Sequence, residues 1–280
     1  MELVSTAAEL RTALSGQKAC AFVPTMGNLH EGHLSLVKQA RNSGFPVVVS
    51  VFVNPLQFAA GEDFERYPRT LGADCALVDG HADIVFAPSE KEIYPAAQQF
   101  YVIPPRELEN DLCGAFRPGH FRGVATVVMK LFNLVRPSVA LFGKKDYQQL
   151  VVIRQMTTQF NLPIEIRGGE TIRAEDGLAL SSRNGYLSVE QRREAPRLFQ
   201  TLNDLKAQLE AGNHDFPSLE SAGCEALKAA GWKVDYVAIR RPDLSRPTAT
   251  ADKFVILAAA YLGKTRLIDN LELGYNLSLS

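Results

Sequence analysis

Short, almost wholly apolar runs alternate with stretches of helical period over the first 170 or so positions of the chain. Cys20–Val23 and Pro46–Val53 are apolar nearly throughout, the pattern of parallel strands covered on both faces. Asp83–Phe86 and Val139–Phe142 repeat it. Between them the spacing predicts helices over Glu31–Asn42, Thr70–Val78, Phe121–Val135 (closed by Pro137) and Asp146–Phe160. Thr6 and Glu9 form a capping-box signature that opens a short helix ending at Gly16. The segment from Pro88 to Pro118 holds several prolines and reads as irregular. This β-α-β-α rhythm predicts an α/β fold, a Rossmann-like doubly wound parallel sheet.

The rhythm changes near residue 170. Thr171–Asn184 reads as strand-turn-strand around Asp176-Gly177. Two helical patterns follow, Ser188–Ala211 and Phe216–Ala230, then strands over Val234–Ile239, Phe254–Tyr261 and Thr265–Asn270. Gly263-Lys264 between the last two is a hairpin signal. The expected organisation is a nucleotide-type domain over residues 1–174 and a second, smaller α/β domain over 175–280. The pattern contains no internal repeat and no low-complexity segment.

Composition narrows the function classes. A formal net charge of −1 provides no global field for nucleic acid or an anionic membrane, so any phosphate chemistry must be local. Cys20, Cys75, Cys113 and Cys224 form no C-x-x-C pair, which argues against a zinc ribbon or a disulfide framework and fits a reducing cytoplasm. Met1–Leu14 carries Glu2, Glu9 and Arg11 and does not read as a signal peptide, and no apolar run approaches a membrane span.

The candidate chemistry starts at Pro24-Thr-Met-Gly-Asn-Leu-His-Glu-Gly-His33, directly after the first long strand. A helix N-terminus offers unpaired N–H groups and a positive dipole end, which suits phosphate. Gly32 removes a side chain where a phosphate would approach. His30 and His33, three apart, share a helical face, and a neutral imidazole still donates one hydrogen bond. Histidines that merely cap the helix are the plain alternative. A metal site is the other, but the zincin motif needs histidines four apart, and His81, His120 and His214 lie far off in sequence.

Three further stretches complete a set: Phe52-Val-Asn-Pro-Leu-Gln-Phe58, Arg117-Pro-Gly-His-Phe-Arg-Gly-Val-Ala-Thr-Val-Val128 and Phe142-Gly-Lys-Lys-Asp-Tyr-Gln-Gln149. With the histidine motif and Leu180-Ser-Ser-Arg-Asn184, the chain resembles the pantoate–β-alanine ligase (pantothenate synthetase) family of the HxGH nucleotidylyltransferase superfamily. The resemblance spans about residues 20–190. It implies a cytoplasmic homodimer that uses ATP with Mg²⁺ on its phosphates, and that acts on pantoate and β-alanine, with neither nucleic acid nor membrane as partner.

The residue roles come from the same resemblance. His30, His33 and Lys145 are the catalytic expectations: the histidines contact the triphosphate, and the lysine stabilises charge that develops in transfer. Pro24, Thr25, Met26, Gly143, Asp146, Ser181, Ser182 and Arg183 join them as the ATP site, Asp146 through the ribose hydroxyls and the last three through the phosphates. Gln57 and Gln149, with Met26, are the pantoate site, since an amide both donates and accepts. Many relatives carry Glu where this chain has Lys144, which receives no role. Gly119, His120 and Arg122 match the family without a distinct chemical task, and Asp74 reads best as an exposed helix acid, with an influence on the metal through water as the other reading. The implied reaction joins pantoate and β-alanine through a pantoyl adenylate, releasing pyrophosphate and then AMP. Nucleotide transfer to a phosphorylated alcohol, and a non-enzymatic adenylate-binding regulator, are the competing readings. Gln57 and Gln149 argue against the first, and Lys145 beside both histidines against the second.

Overall fold

The computed structural model describes residues 1–59, 61–248 and 253–274. It divides into two compact units: Met1–Lys144 with Gln148–Glu170, and Lys145–Tyr147 with the chain from Thr171 onward.

The first unit is built on a six-stranded parallel sheet. In chain order its elements are β1 (Glu2–Val4), α1 (Ala7–Ala13), β2 (Ala21–Thr25), α2 (Glu31–Arg41), β3 (Val47–Val51), α3 (Leu71–Val78) and β4 (Ile84–Phe86). The single turns α4 (Glu90–Ile93), α5 (Arg106–Glu109) and α6 (Cys113–Phe116) follow, then α7 (His120–Val135), β5 (Val139–Gly143), α8 (Tyr147–Gln159) and β6 (Glu165–Gly169). The strand order is β1-β4-β3-β2-β5-β6. The chain therefore works outward from β2 in one direction and restarts at β5 in the other. The reversal lies between β2 and β5, and open sheets of this kind bind ligands outside the strand ends at that point.

Alternation along each strand explains why both faces are apolar. Ala21, Val23, Val47, Val49, Val85 and Leu141 pack in one cluster with Leu36, Val37 and Ala40 of α2. On the other face, Phe22 meets Phe132 of α7 edge-on at 6.3 Å, and Phe132 meets Phe142 at 6.4 Å. Each such buried side chain contributes about 1.5–3 kcal/mol relative to exposure.

Three elements differ from the sequence expectation in this unit. β2 runs on through Pro24. The Thr25 carbonyl accepts from the Phe52 N–H, so the backbone of Thr25 faces β3 and that of Pro24 faces β5. The ladder with β5 ends at Phe22, just before Pro24, which has no N–H to continue it. β1 and β6, at the two edges, have no counterpart in the apolar pattern.

In the second unit, α9 (Val189–Glu194), α10 (Arg197–Glu210) and α11 (Phe216–Ala229) precede an antiparallel sheet of β7 (Lys233–Arg240), β8 (Phe254–Leu262) and β9 (Thr265–Leu273). Leu198, Leu202, Leu205, Leu219 and Leu227 of the helices pack with Ile239, Ile256 and Trp232. The hairpin expected at Gly263-Lys264 is present, with Leu262 opposite Thr265 and Gly263 at φ +62°. The helix expected over Ser188–Ala211 is broken between α9 and α10. Pro196 sits at the break, where it has no N–H to donate and the i→i−4 ladder is interrupted. Thr171–Asn184 is not a full hairpin; a lone antiparallel bridge, Arg173 to Ala179, closes a turn with Gly177 at φ +92°.

Candidate active site

The loop between β2 and α2 is held by side chains that leave it little freedom. Thr25 Oγ1 donates to the Ser50 carbonyl at 2.7 Å and accepts from the Gly27 N–H at 3.2 Å. Gly27 turns the chain at φ +80°, and a Cβ there would lie 3.0 Å from Val51 and 3.1 Å from the Asp74 carboxylate. Asp74 accepts from the N–H of Asn28 (3.1 Å), the N–H of Leu29 (2.7 Å) and the Thr70 hydroxyl (3.1 Å). The sequence reading of Asp74 as an exposed acid is thus overturned: it is 2% exposed and anchors the approach to the histidine motif. Its position near the start of α3 faces inward because the loop brings two backbone donors to it.

His30 is the N-cap of α2, with its Nδ1 accepting from the Gly32 N–H at 3.1 Å. His33 Nδ1 in turn accepts from the His30 N–H at 3.3 Å, and the rings lie 4.2 Å apart between centroids. These are the reciprocal bonds of a capping box. Capping and phosphate binding are therefore not alternatives here. A backbone N–H can only donate, so each Nδ1 is unprotonated and each neutral ring carries its proton on Nε2. The cap fixes both histidines as Nε2–H donors. Gly32 also has a reason within the fold: a Cβ would stand 2.9 Å from the His30 ring, which folds back over its own helix start.

Gln57 closes a 3-10 turn, Pro55–Gln57, after β3. Its Nε2 donates to Met26 Sδ at 2.9 Å, so two of the residues expected around pantoate do meet. The Gln57 carbonyl accepts from His120 Nδ1 at 2.8 Å. His120 stands beside Arg117 (Nη1 to Nε2, 3.0 Å), and Arg117 forks onto Glu62 at 2.7 and 2.8 Å. His120 and Arg117 thereby gain a task that the sequence alone did not assign: they fix the backbone of Gln57. Arg122 lies with its guanidinium 5.0 Å from the Tyr101 ring centre. Gln149 is half-buried in the first turn of α8. Its neighbour Gln148 is structural, accepting from the Cys113 N–H and donating to the carbonyls of Leu108 and Asp111.

After Gly143 the chain turns through a 3-10 segment, Lys144–Asp146. Lys144 pairs with Glu170 at 2.5 Å, which accounts for its side chain without a ligand. Lys145 and Asp146 belong to the second unit, where Asn270 Nδ2 donates to the Lys145 carbonyl at 2.9 Å. Lys145 is half-buried and Asp146 exposed. Ser181 caps the 3-10 turn Ser182–Tyr186 by accepting from the Arg183 N–H at 3.3 Å. The preceding loop is pinned by Arg173, which forks onto Asp269 at 2.6 and 2.9 Å and donates to the Gly177 carbonyl at 3.0 Å.

A family profile described as Pantoate-beta-alanine ligase matches residues 2–272. A pantothenate synthetase of Thiobacillus denitrificans is 60% identical over 274 residues, covering 97% of both chains. The chain belongs to the pantoate–β-alanine ligase family. A second family member, from Chromobacterium violaceum, is 58% identical over 97% of this chain and 99% of its own. The pantothenate synthetase structure from Thermus thermophilus superposes with a TM-score of 0.91 at 48% identity, over 97% of this chain and 99% of that one. The pantoate–β-alanine ligase structure from Francisella tularensis, complexed with beta-gamma ATP and β-alanine, gives 0.80 at 33% identity, over 99% and 98%. As a pantoate–β-alanine ligase, the chain condenses pantoate with β-alanine at the expense of ATP, through a pantoyl adenylate.

Proposed function

We propose that the residues described above divide this reaction as follows. The Nε2–H groups of His30 and His33, aimed from the start of α2, bind the ATP triphosphate. A pantoate carboxylate oxygen attacks the α-phosphorus, the bond to the bridging oxygen breaks, and pyrophosphate leaves with the electron pair. Lys145 stabilises the charge gathering on the phosphate oxygens. Asp146 accepts from the ribose hydroxyls, Ser181, Ser182 and Arg183 hold phosphate oxygens, and Pro24, Thr25, Met26 and Gly143 shape the nucleotide pocket. Gln57 and Gln149 hold pantoate, with Met26 against it. The β-alanine amine then attacks the acyl carbon, loses a proton, and displaces AMP.

Mg²⁺ enters with the ATP phosphates as part of the substrate. Among the described residues no group of three His, Cys, Asp or Glu side chains is arranged to hold a metal, and Asp74 already accepts three hydrogen bonds within the fold. That donor set fits an ion bound mainly by phosphate and water. The working form is a cytoplasmic homodimer with small-molecule substrates, without nucleic acid or membrane as partner. In support, no helix among the described residues is long and apolar enough to cross a membrane, and the net charge is −1.

The capping box carries this reading, because it fixes the tautomer of two histidines as Nε2–H donors at a helix N-terminus. The test is a two-stage incubation. ATP, Mg²⁺ and pantoate alone release pyrophosphate, and AMP follows only after β-alanine is added. AMP that keeps pace with pyrophosphate in the absence of β-alanine rules out a retained adenylate.

A further inference from the structure

Tyr94 lies just beyond α4 with its ring packed 6.1 Å from that of Phe52, centre to centre. Its hydroxyl donates to Asn54 Oδ1 at 2.7 Å. The Asn54 amide has no choice of orientation. Its Oδ1 also accepts from the Leu56 N–H at 3.3 Å, and its Nδ2 donates to the Gly123 carbonyl at 3.2 Å. A backbone N–H and a backbone carbonyl each have one possible role, so the oxygen and nitrogen ends are settled. The second proton of Nδ2 then goes to Gln57 Oε1 at 3.1 Å.

The relay has a chemical result. With Oε1 engaged from behind, Gln57 turns its NH₂ forward, to the side where it meets Met26. An NH₂ recognises an oxygen that accepts, as the carboxylate and hydroxyl oxygens of a hydroxy acid do.

We infer that Tyr94 is a positioning residue for the hydroxy-acid substrate, acting through Asn54 to hold the Gln57 amide with its NH₂ toward the ligand. The inference rests on the assignment of Gln57 to pantoate. The phenol keeps its proton throughout the working range, because burial raises its pKa, helped by the nearby Glu90 and Tyr101. Lys130 Nζ stands 4.9 Å from the Tyr94 ring centre and donates to Gln98 Oε1, which holds the outer side of the ring.

The test is a double-mutant cycle read in KM for pantoate and for ATP separately. Tyr94→Phe removes only the hydroxyl and keeps the packed ring. Its expected effect is about a 3- to 10-fold rise in pantoate KM, the range for one lost hydrogen bond, with ATP KM unchanged. In Gln57→Ala the relay has nothing left to orient, so adding Tyr94→Phe brings no further loss. Gln57→Glu replaces the forward NH₂ by an oxygen and is expected to bind pantoate no better than Gln57→Ala.

Penalties that multiply in the double variant, a normal pantoate KM in Tyr94→Phe, an equal rise in both KM values, or near-normal pantoate use by Gln57→Glu overturn the inference while the pantoate site stands. A normal pantoate KM in Gln57→Ala instead overturns the assignment of Gln57, and the inference with it.

Discussion

His30 caps α2, and the proposed reading adds a donor duty to the ATP phosphates; the two can be separated. Asn is among the best N-cap residues, so His30→Asn is expected to keep stability within about 0.5 kcal/mol. It lacks the far ring nitrogen, so pyrophosphate release should fall on the order of 10²-fold, the usual cost of a deleted preorganised donor. Equilibrium urea unfolding beside the pyrophosphate assay checks both halves. Lys145→Ala, which removes a side chain from a half-buried turn rather than from a core, is expected to lose adenylation by a similar factor of about 10² or more while unfolding normally. A folded Lys145→Ala variant with near-normal pyrophosphate release removes Lys145 from the chemistry. The histidines could be read from the chain because their partners lie within three positions. Asp74 could not, since its strongest donor, Leu29, is 45 residues away and nothing local marks the acid as buried. Asn54 is legible from the chain: it stands before a proline in the Phe52–Phe58 stretch, where Asn commonly caps a turn.

Among the elements, one close approach sets where Gln57 stands. A Cβ on Gly123 in α7 would fall 2.1 Å from the Leu56 carbonyl oxygen and 2.8 Å from the Gln57 nitrogen. Both neighbours are backbone, so Gly123→Ala must push α7 away from the Pro55–Gln57 turn. The expected result is a loss of about 1–3 kcal/mol or more, seen as a lower melting temperature, with pantoate titrations weakened more than ATP titrations. Asp74→Asn keeps shape but turns one acceptor into a donor facing backbone N–H groups. A cost of about 1–3 kcal/mol is expected in denaturant unfolding, together with slower pyrophosphate release as the loop before α2 loosens. Legibility among the elements followed burial. β3 and β5 were readable because both faces are covered. β6 reads Glu-Ile-Arg-Gly-Gly and lies at an edge of the sheet. Its glycines resemble a loop, yet Gly169 faces Leu36 at 2.1 Å and Gly168 faces Leu150 at 2.9 Å from the position of an added Cβ. The tight packing that favours glycine there removes the apolar signal by which a strand is recognised.

For the molecule as a whole, the proposed phosphate contacts of Ser181–Arg183 belong to the second unit, and a reactive adenylate must be kept from water. Arg183→Ala is therefore expected to raise the AMP formed per pantothenate as well as to slow adenylation. An ATP analogue with pantoate is expected to slow hydrogen exchange over residues 171–184. An unchanged product ratio together with exchange indifferent to ligand counts against a protective role for that loop. The second unit also includes Lys145–Tyr147, a fragment separated from the rest of it by Gln148–Glu170. The Lys145 carbonyl is held by Asn270, and the Tyr147 hydroxyl donates to the Pro242 carbonyl at 3.3 Å. During synthesis on the ribosome this lysine turn emerges long before its anchors. It acquires its native framing only when β9 has left the exit tunnel, and a gene cut at residue 170 yields two polypeptides, neither of which encodes the whole of the second unit.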